Sequence, residues 1–142
     1  MPDFRCTRRM EFVETDMAGI VHFSNFFRFM ESAEVSFLHS LGLSVRFQGE
    51  RETYSLPRVS ASCDFFRPVR FEDVVETAVT VAKLGRSSIT YEFNFVHEGQ
   101  PIAKGRVTCV FCRVLESDRL EPIDIPPDFR TKLQPYTASG AA

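Results

Sequence analysis

Phe23-Ser-Asn-Phe-Phe-Arg-Phe-Met-Glu-Ser-Ala-Glu-Val-Ser-Phe-Leu-His-Ser-Leu41 is the stretch on which the fold turns. Its apolar residues fall at Phe23, Phe26, Phe27, Met30, Ala33, Phe37, Leu38 and Leu41. Spacings of three and four trace one face of an α-helix. Arg28, Ser32, His39 and Ser40 fall largely on the other side. Ser24 or Asn25 can cap the start, and Gly42 stands where a left-handed C-terminal cap belongs. The helix runs about five turns, and phenylalanine dominates its apolar face. Such a face needs a broad apolar surface to lie on, and a sheet supplies one.

The flanking sequence supplies strands. Phe4 to Val13 alternates imperfectly, with Arg8 out of pattern. Leu56–Phe66, Val69–Leu84, Arg86–Glu98 and Pro101–Leu115 are further candidates; in the third, Ile89, Tyr91, Phe93 and Phe95 share one side. Gly85-Arg86 and Glu98-Gly99-Gln100 read as hairpin turns, and Pro68 as a break. The tail from Glu116 holds Pro122, Pro126, Pro127 and Pro135, with room for one helical turn and a frayed end over Thr137 to Ala142. Strands run together beside one helix argue for an α+β fold. The expectation is a long central helix wrapped by a curved antiparallel sheet of about five strands, as a single domain over residues 1–142. The sheet's outer face and edges would then need cover, which usually comes from oligomerisation.

Composition narrows the function classes. The chain has 142 residues, a net charge of −2, 15 Phe, 3 Tyr and no Trp. Phenylalanine lines apolar pockets without needing a polar partner, so room for an apolar ligand is expected. The charge gives no pull toward nucleic acid or an anionic membrane. Met1-Pro2-Asp3-Phe4-Arg5 lacks the apolar run of a signal peptide, and no stretch approaches the roughly 18 apolar residues that span a bilayer. A cytoplasmic protein is expected. Cys109 and Cys112 form a Cys-x-x-Cys pair beside the separate Cys6 and Cys63. They lie in a β-branched, strand-like run, where residues three apart point to opposite faces. No metal and no redox centre is expected there.

The chemistry concentrates just before the helix. Residues 11–34 read Glu-Phe-Val-Glu-Thr-Asp-Met-Ala-Gly-Ile-Val-His-Phe-Ser-Asn-Phe-Phe-Arg-Phe-Met-Glu-Ser-Ala-Glu. Asp16 precedes a helix start, where unpaired N–H groups and the helix dipole favour negative charge. The same field can stabilise an oxyanion developing on a substrate carbonyl. A carboxylate so placed could attack an electrophilic carbonyl or deprotonate a water that does. Asp is also common in plain turns and caps, so position alone favours a structural role.

The motif shifts that balance. Asp16, Gly19, Val21, Asn25, Phe26 and Glu31 match the pattern Asp-x-x-Gly-x-Val, two usually aromatic positions, Asn, an aromatic, and a helical acid. This resembles the 4-hydroxybenzoyl-CoA thioesterase-like and tol-pal-associated thioesterase families of hot-dog proteins, over most of residues 4–115. The resemblance implies an acyl-CoA thioesterase with Asp16 as its catalytic carboxylate and the Phe23 backbone N–H as oxyanion donor. Gly19 would let backbone approach the substrate, and His22, Asn25, Phe26 and Glu31 would line or orient the site. The turn at Lys83 and Arg86 matches in position a basic turn that binds the nucleotide in the hydroxybenzoyl-CoA enzyme, although Gly85 and Ser87 replace further basic residues. Arg58, Arg67 and Arg70 are other candidates for the phosphates, and an acyl carrier protein thioester would need fewer such contacts. Glu14, His39 and His97 read as structural or surface residues. The resemblance also implies a homodimer or homotetramer with the site at the subunit interface, and no cofactor.

Two other classes stay open at this point. A hydratase or dehydratase of the same fold would pair Asp16 with His22, although those enzymes carry Asn-Pro and a shorter spacing. A non-catalytic acyl-thioester binding module would need neither.

Overall fold

The computed structural model describes residues 2–45, 47–48 and 52–138. In chain order the strands are β1 Phe4–Arg9, β2 Phe47–Gln48, β3 Thr53–Ser55, β4 Arg58–Phe65, β5 Val74–Leu84, β6 Ser88–His97, β7 Gln100–Val110, β8 Cys112–Val114 and β9 Leu120–Pro122. Helix α1, Asn25–Ser40, lies between β1 and β2, and α2, Pro127–Leu133, follows β9. Five strands make the main antiparallel sheet, in the order β1-β5-β6-β7-β4. The remaining four make a small second sheet, β2-β3-β8-β9.

Period-two burial explains the main sheet. Val75, Thr77, Val79 and Val81 of β5, and Ile89, Tyr91, Phe93 and Phe95 of β6, all turn inward. All but Thr77 pack with Phe26, Phe29, Met30, Ala33, Phe37 and Leu38 of α1 in one apolar core. Gly105 of β7 shows how close the helix lies, since a Cβ there would clash with Met30 Sδ.

The helix departs from the expected face in two places. Phe23 precedes α1 and is 58% exposed, Phe27 is 37% exposed, and Phe29 and Glu34 are buried instead. The helix begins two residues later than the apolar pattern, and Arg8 closes over Phe29 with its guanidinium 4.7 Å from the ring centroid. Ser24 occupies the N-cap without a side-chain cap; its hydroxyl pairs with His22 Nδ1 at 2.8 Å. Backbone N–H groups of Asn25, Phe26 and Phe27 close the first turn on the carbonyls of His22, Phe23 and Ser24. At the other end Gly42 adopts φ +74°, and the N–H groups of Gly42 and Leu43 return to the carbonyls of His39 and Leu38 at 3.0 and 2.8 Å. That is the expected left-handed cap.

Other boundaries move for local reasons. The first strand stops at Arg9, because Glu14 is buried and draws Phe12–Glu14 into a 3-10 turn. The strand expected from Val69 begins at Val74, after a turn in which the Arg70 N–H donates to Asp73 at 2.8 Å. The strand expected from Pro101 to Leu115 breaks at Phe111, whose ring is buried 5.7 Å from Tyr54 and 5.4 Å from Phe129. The tail is more structured than its prolines suggest. Ile125, Phe129 and Leu133 bury into the core and anchor α2, and Thr137 is buried beyond it. Residues 139–142 of the expected frayed end lie outside the described residues.

Candidate active site

Glu14 organises the approach to α1. Its carboxylate pairs with Arg8 and accepts the Glu11 N–H at 2.8 Å. Its carbonyl accepts the His22 N–H at 2.9 Å and the Asn25 side-chain amide at 2.8 Å. A buried acid thus staples the two ends of the segment between it and the helix. Inside that staple, Thr15 and Val21 form an antiparallel bridge, and the Asp16 N–H donates to the Ile20 carbonyl at 2.9 Å. Gly19 closes the loop at φ +80°, a left-handed conformation that favours glycine. A Cβ at Gly19 would meet nothing within 4 Å, so the turn needs its conformation rather than its small size.

The loop presents Asp16 half-buried. Its Oδ1 accepts the Ala18 N–H at 2.8 Å, which fixes the carboxylate's orientation. Asp16 lines a cavity of about 440 Å³ with Ile20, Phe23, Phe26, Phe65 and Arg67 among its walls. Phe65 stands 5.3 Å from Phe26 and 6.2 Å from Phe23, both edge-on. Among the described residues no acceptor takes the Phe23 N–H, which lies ahead of the first helical turn. A carboxylate and an aromatic wall therefore meet in one cavity, beside a residue whose N–H no described acceptor takes. Such a set can bind an apolar acyl group, polarise its carbonyl and deliver a base or nucleophile.

The other expected site residues fall into three places. Phe26 lines the cavity with Asp16 and Phe23. Asn25 and His22 sit beside it but are engaged elsewhere: Asn25 ties the helix to Glu14, and His22 pairs with Ser24 and stacks 4.7 Å from Phe23. Among the described residues no hydrogen bond joins His22 to Asp16; each is held by its own neighbours, His22 by Ser24 and Asp16 by the Ala18 N–H. Glu31 lies farther along α1, exposed, in a different cavity. Lys83 and Arg86 sit at the β5–β6 turn, at the opposite end of β5 from Val74 and the Asp16 loop. There Arg86 pairs with Asp124 at 3.1 Å. Within one chain the basic turn and Asp16 are not brought together.

Phe65 and Arg67 went unassigned to the acyl pocket in the sequence. The signal was available: Cys63-Asp-Phe-Phe-Arg-Pro68 places aromatics where a strand meets a proline break. Cys109 and Cys112 belong to different strands, and all four cysteines are free. Burial pushes the Cys63 and Cys109 thiols up to about 11 and about 12, unfavourable for thiolate chemistry. Among the described residues no three His, Cys, Asp or Glu side chains are grouped to hold a metal ion.

Comparison with known proteins gives a consistent result. The thioesterase-like superfamily matches residues 10–133, which bears out the resemblance carried by the Asp16–Glu31 motif. A 1,4-dihydroxy-2-naphthoyl-CoA hydrolase of Synechococcus elongatus is 30% identical over 135 residues, covering 94% of this chain and 97% of that protein. The structure of a gentisyl-coenzyme A thioesterase is 27% identical, covers 92% of this chain and 99% of its own, and superimposes with a TM-score of 0.77. A 4-hydroxybenzoyl-CoA thioesterase, solved as an aspartate-to-asparagine variant with 4-hydroxybenzoyl-CoA, superimposes with a TM-score of 0.79 over 92% and 98% of the two chains. At 21% identity that last likeness shows the fold alone.

Proposed function

The chain belongs to the thioesterase-like superfamily and is a thioester hydrolase, and from that premise we propose that it cleaves an acyl-CoA to free acid and CoA with Asp16 as nucleophile or general base. The observation that carries the role of Asp16 is that it lines an aromatic-walled cavity together with Phe23, whose N–H finds no acceptor among the described residues. The acyl group lies against Phe23, Phe26 and Phe65, with its carbonyl oxygen on the Phe23 N–H. Asp16, oriented by the Ala18 N–H, either attacks the carbonyl carbon and expels the CoA thiolate, or takes a proton from the water that attacks. On the first route, water then cleaves the acyl-aspartyl anhydride. Label in Asp16 after single turnover in heavy-oxygen water identifies the anhydride route, with water attacking the aspartyl carbonyl, since general-base hydrolysis labels only the free acid.

Several finer features belong to the same reading. Helix α1 is the central helix of a hot-dog fold, wrapped by the curved main sheet, and residues 1–142 form one domain. Arg67, at the cavity wall, and the Lys83–Arg86 turn supply cations for CoA phosphates, the latter from a second subunit. Edge strand β4 is exposed along most of its length, with Val59 61% exposed, which favours a homodimer or homotetramer built through that edge. Four free thiols suit a reducing, cytoplasmic setting. No helix among the described residues is long and apolar enough to cross a membrane.

Product analysis on a panel of aromatic and aliphatic acyl-CoAs tests the activity. Free thiol and free acid in equal amounts are expected. A product that retains its thioester would point to hydration instead and overturn the hydrolase reading.

A further inference from the structure

The segment that presents Asp16 has no apolar anchor of its own. Of residues 11–20, Glu14 alone is buried. Phe12, Val13 and Met17 all stand in solvent. A loop with so little apolar surface buried has little to hold it in one conformation. Its hold on the fold is the side chain of Glu14, and the partner of Glu14 is Arg8.

Arg8 joins three elements. It pairs with Val75 of β5, so its backbone belongs to the main sheet. Its guanidinium binds Glu14 and lies 4.7 Å from the ring centroid of Phe29 on α1. Glu14 passes this anchorage on through its main chain. Its one carbonyl oxygen accepts both the His22 N–H and the Asn25 side-chain amide. The Asn25 N–H closes in turn on the His22 carbonyl at 3.0 Å. Phe23 lies between these two tied residues, and Asp16 lies two residues after the carbonyl that ties them. The carboxylate and the N–H that must reach one substrate carbonyl therefore take their places from a single peptide unit. Arg8 and Glu14 fix that unit against the sheet.

We propose that Arg8 and Glu14 are positioning residues for thioester cleavage, holding Asp16 and the Phe23 N–H at their working separation without touching substrate. The role rests on the hydrolase reading, and the test separates the two. Neither residue is among those lining the Asp16 cavity, so loss of the pair should fall on kcat and leave ester affinity nearly intact. Misplacing a reacting group by about 1 Å lowers the rate on the order of 10²-fold.

The surroundings of Arg8 permit a chemical test. Arg8 borders one cavity of about 120 Å³ and another of about 360 Å³, and both count Arg8, Phe29, Ser32 and Ser36 in their walls. The second also includes the exposed Arg28 and Glu31. The Arg8 Nε is buried without a hydrogen-bond partner among the described residues. Arg8→Ala therefore leaves a space, joined to both cavities, into which a free guanidinium ion can enter and pair with Glu14.

Thiol release from a panel of aromatic and aliphatic acyl-CoAs gives kcat, and calorimetry gives the Kd of the matching thioethers, which cannot be hydrolysed. Wild type is set beside Glu14→Gln and Arg8→Ala, each confirmed folded. Both variants should lose roughly 10- to 100-fold in kcat with Kd nearly unchanged. Guanidinium chloride, kept well below denaturing levels, should restore kcat in Arg8→Ala and saturate. It should leave Glu14→Gln as it is, because that variant lacks the carboxylate to be paired, and sodium chloride at equal ionic strength should restore neither. If either variant does not fold, Arg8→Lys and Glu14→Asp, which keep the charges but change the reach, must lower kcat in the same sense. Wild-type kcat in folded variants, a loss confined to Kd, or a loss in Arg8→Ala that guanidinium does not relieve overturns the proposal. If wild type cleaves no ester, the hydrolase reading fails, and amide hydrogen exchange decides whether the pair holds the loop. The Asp16, Gly19 and His22 N–H groups, each bonded within the segment, should then exchange faster in Glu14→Gln relative to those of β6. Equal relative exchange would refute the positioning as well.

Discussion

Three acids near the helix occupy three different surroundings, and their environments assign them different work. Glu14 is buried and paired with Arg8, and its remaining acceptors take the Glu11 and His22 N–H groups and the Asn25 side-chain amide. Asp16 is half-buried at a cavity it shares with Phe23, whose N–H no described acceptor takes. Glu34 is buried with one oxygen unpaired. Motif spacing singled out Asp16 and, on the helix, Glu31; Glu31 is exposed and Glu34, three residues on, is the acid that is buried. Burial raises the Glu34 carboxyl above the ordinary glutamate value of about 4.3. A raised folded-state pKa contributes stability below the unfolded pKa and loses it as pH rises through the folded pKa. Urea midpoints of Glu34→Gln minus wild type should therefore move in the variant's favour between the ordinary glutamate range and neutral pH. A difference that moves the other way would mean that Arg58 outweighs burial. At Gly19 the left-handed turn sets the cost. Gly19→Ala should lose roughly 1–2 kcal/mol in urea unfolding, with no clash to add to it.

At the scale of the element, α1 and the long strands were legible because their apolar periods are strong. The buried alternation Ile89, Tyr91, Phe93, Phe95 and the Gly42 cap stand where the sequence places them. What escaped was set by tertiary partners rather than by period. Arg8, out of pattern for a strand, is inward-facing because Glu14 and Phe29 receive it. Phe111 ends β7 because Tyr54 and Phe129 hold its ring, and neither neighbour is near in sequence. Phe23 and Phe27 fit the helical stripe yet each lines a cavity, Phe23 that of Asp16 and Phe27 a separate one. The helix–sheet contact itself is tight at Gly105. Gly105→Ala should cost about 1–3 kcal/mol by overpacking, and less when Met30 is first cut to alanine, because the clash is with that side chain. Equal costs in the two backgrounds would place the strain elsewhere.

For the whole molecule, the open questions are the free edge and the assembled site. Exposed Val59, Phe65 and Phe66 lie on or beside β4, and the Lys83–Arg86 turn stands at the far end of the sheet from Asp16. Both features make sense if a second copy adds to the β4 edge and brings its own turn to the site. Val59→Lys places a charge on that edge. In sedimentation it should shift the protein from dimer or tetramer toward monomer, and CoA-ester turnover should fall with it. A monomeric wild type, or a variant that stays assembled, would remove β4 from the interface. The central claim is tested most directly by steady-state thiol release from acyl-CoA by wild type and Asp16→Asn, each confirmed folded. Removing a catalytic carboxylate should lower kcat by on the order of 10²-fold or more while the variant still binds the ester. A variant as fast as wild type would contradict the assignment of Asp16.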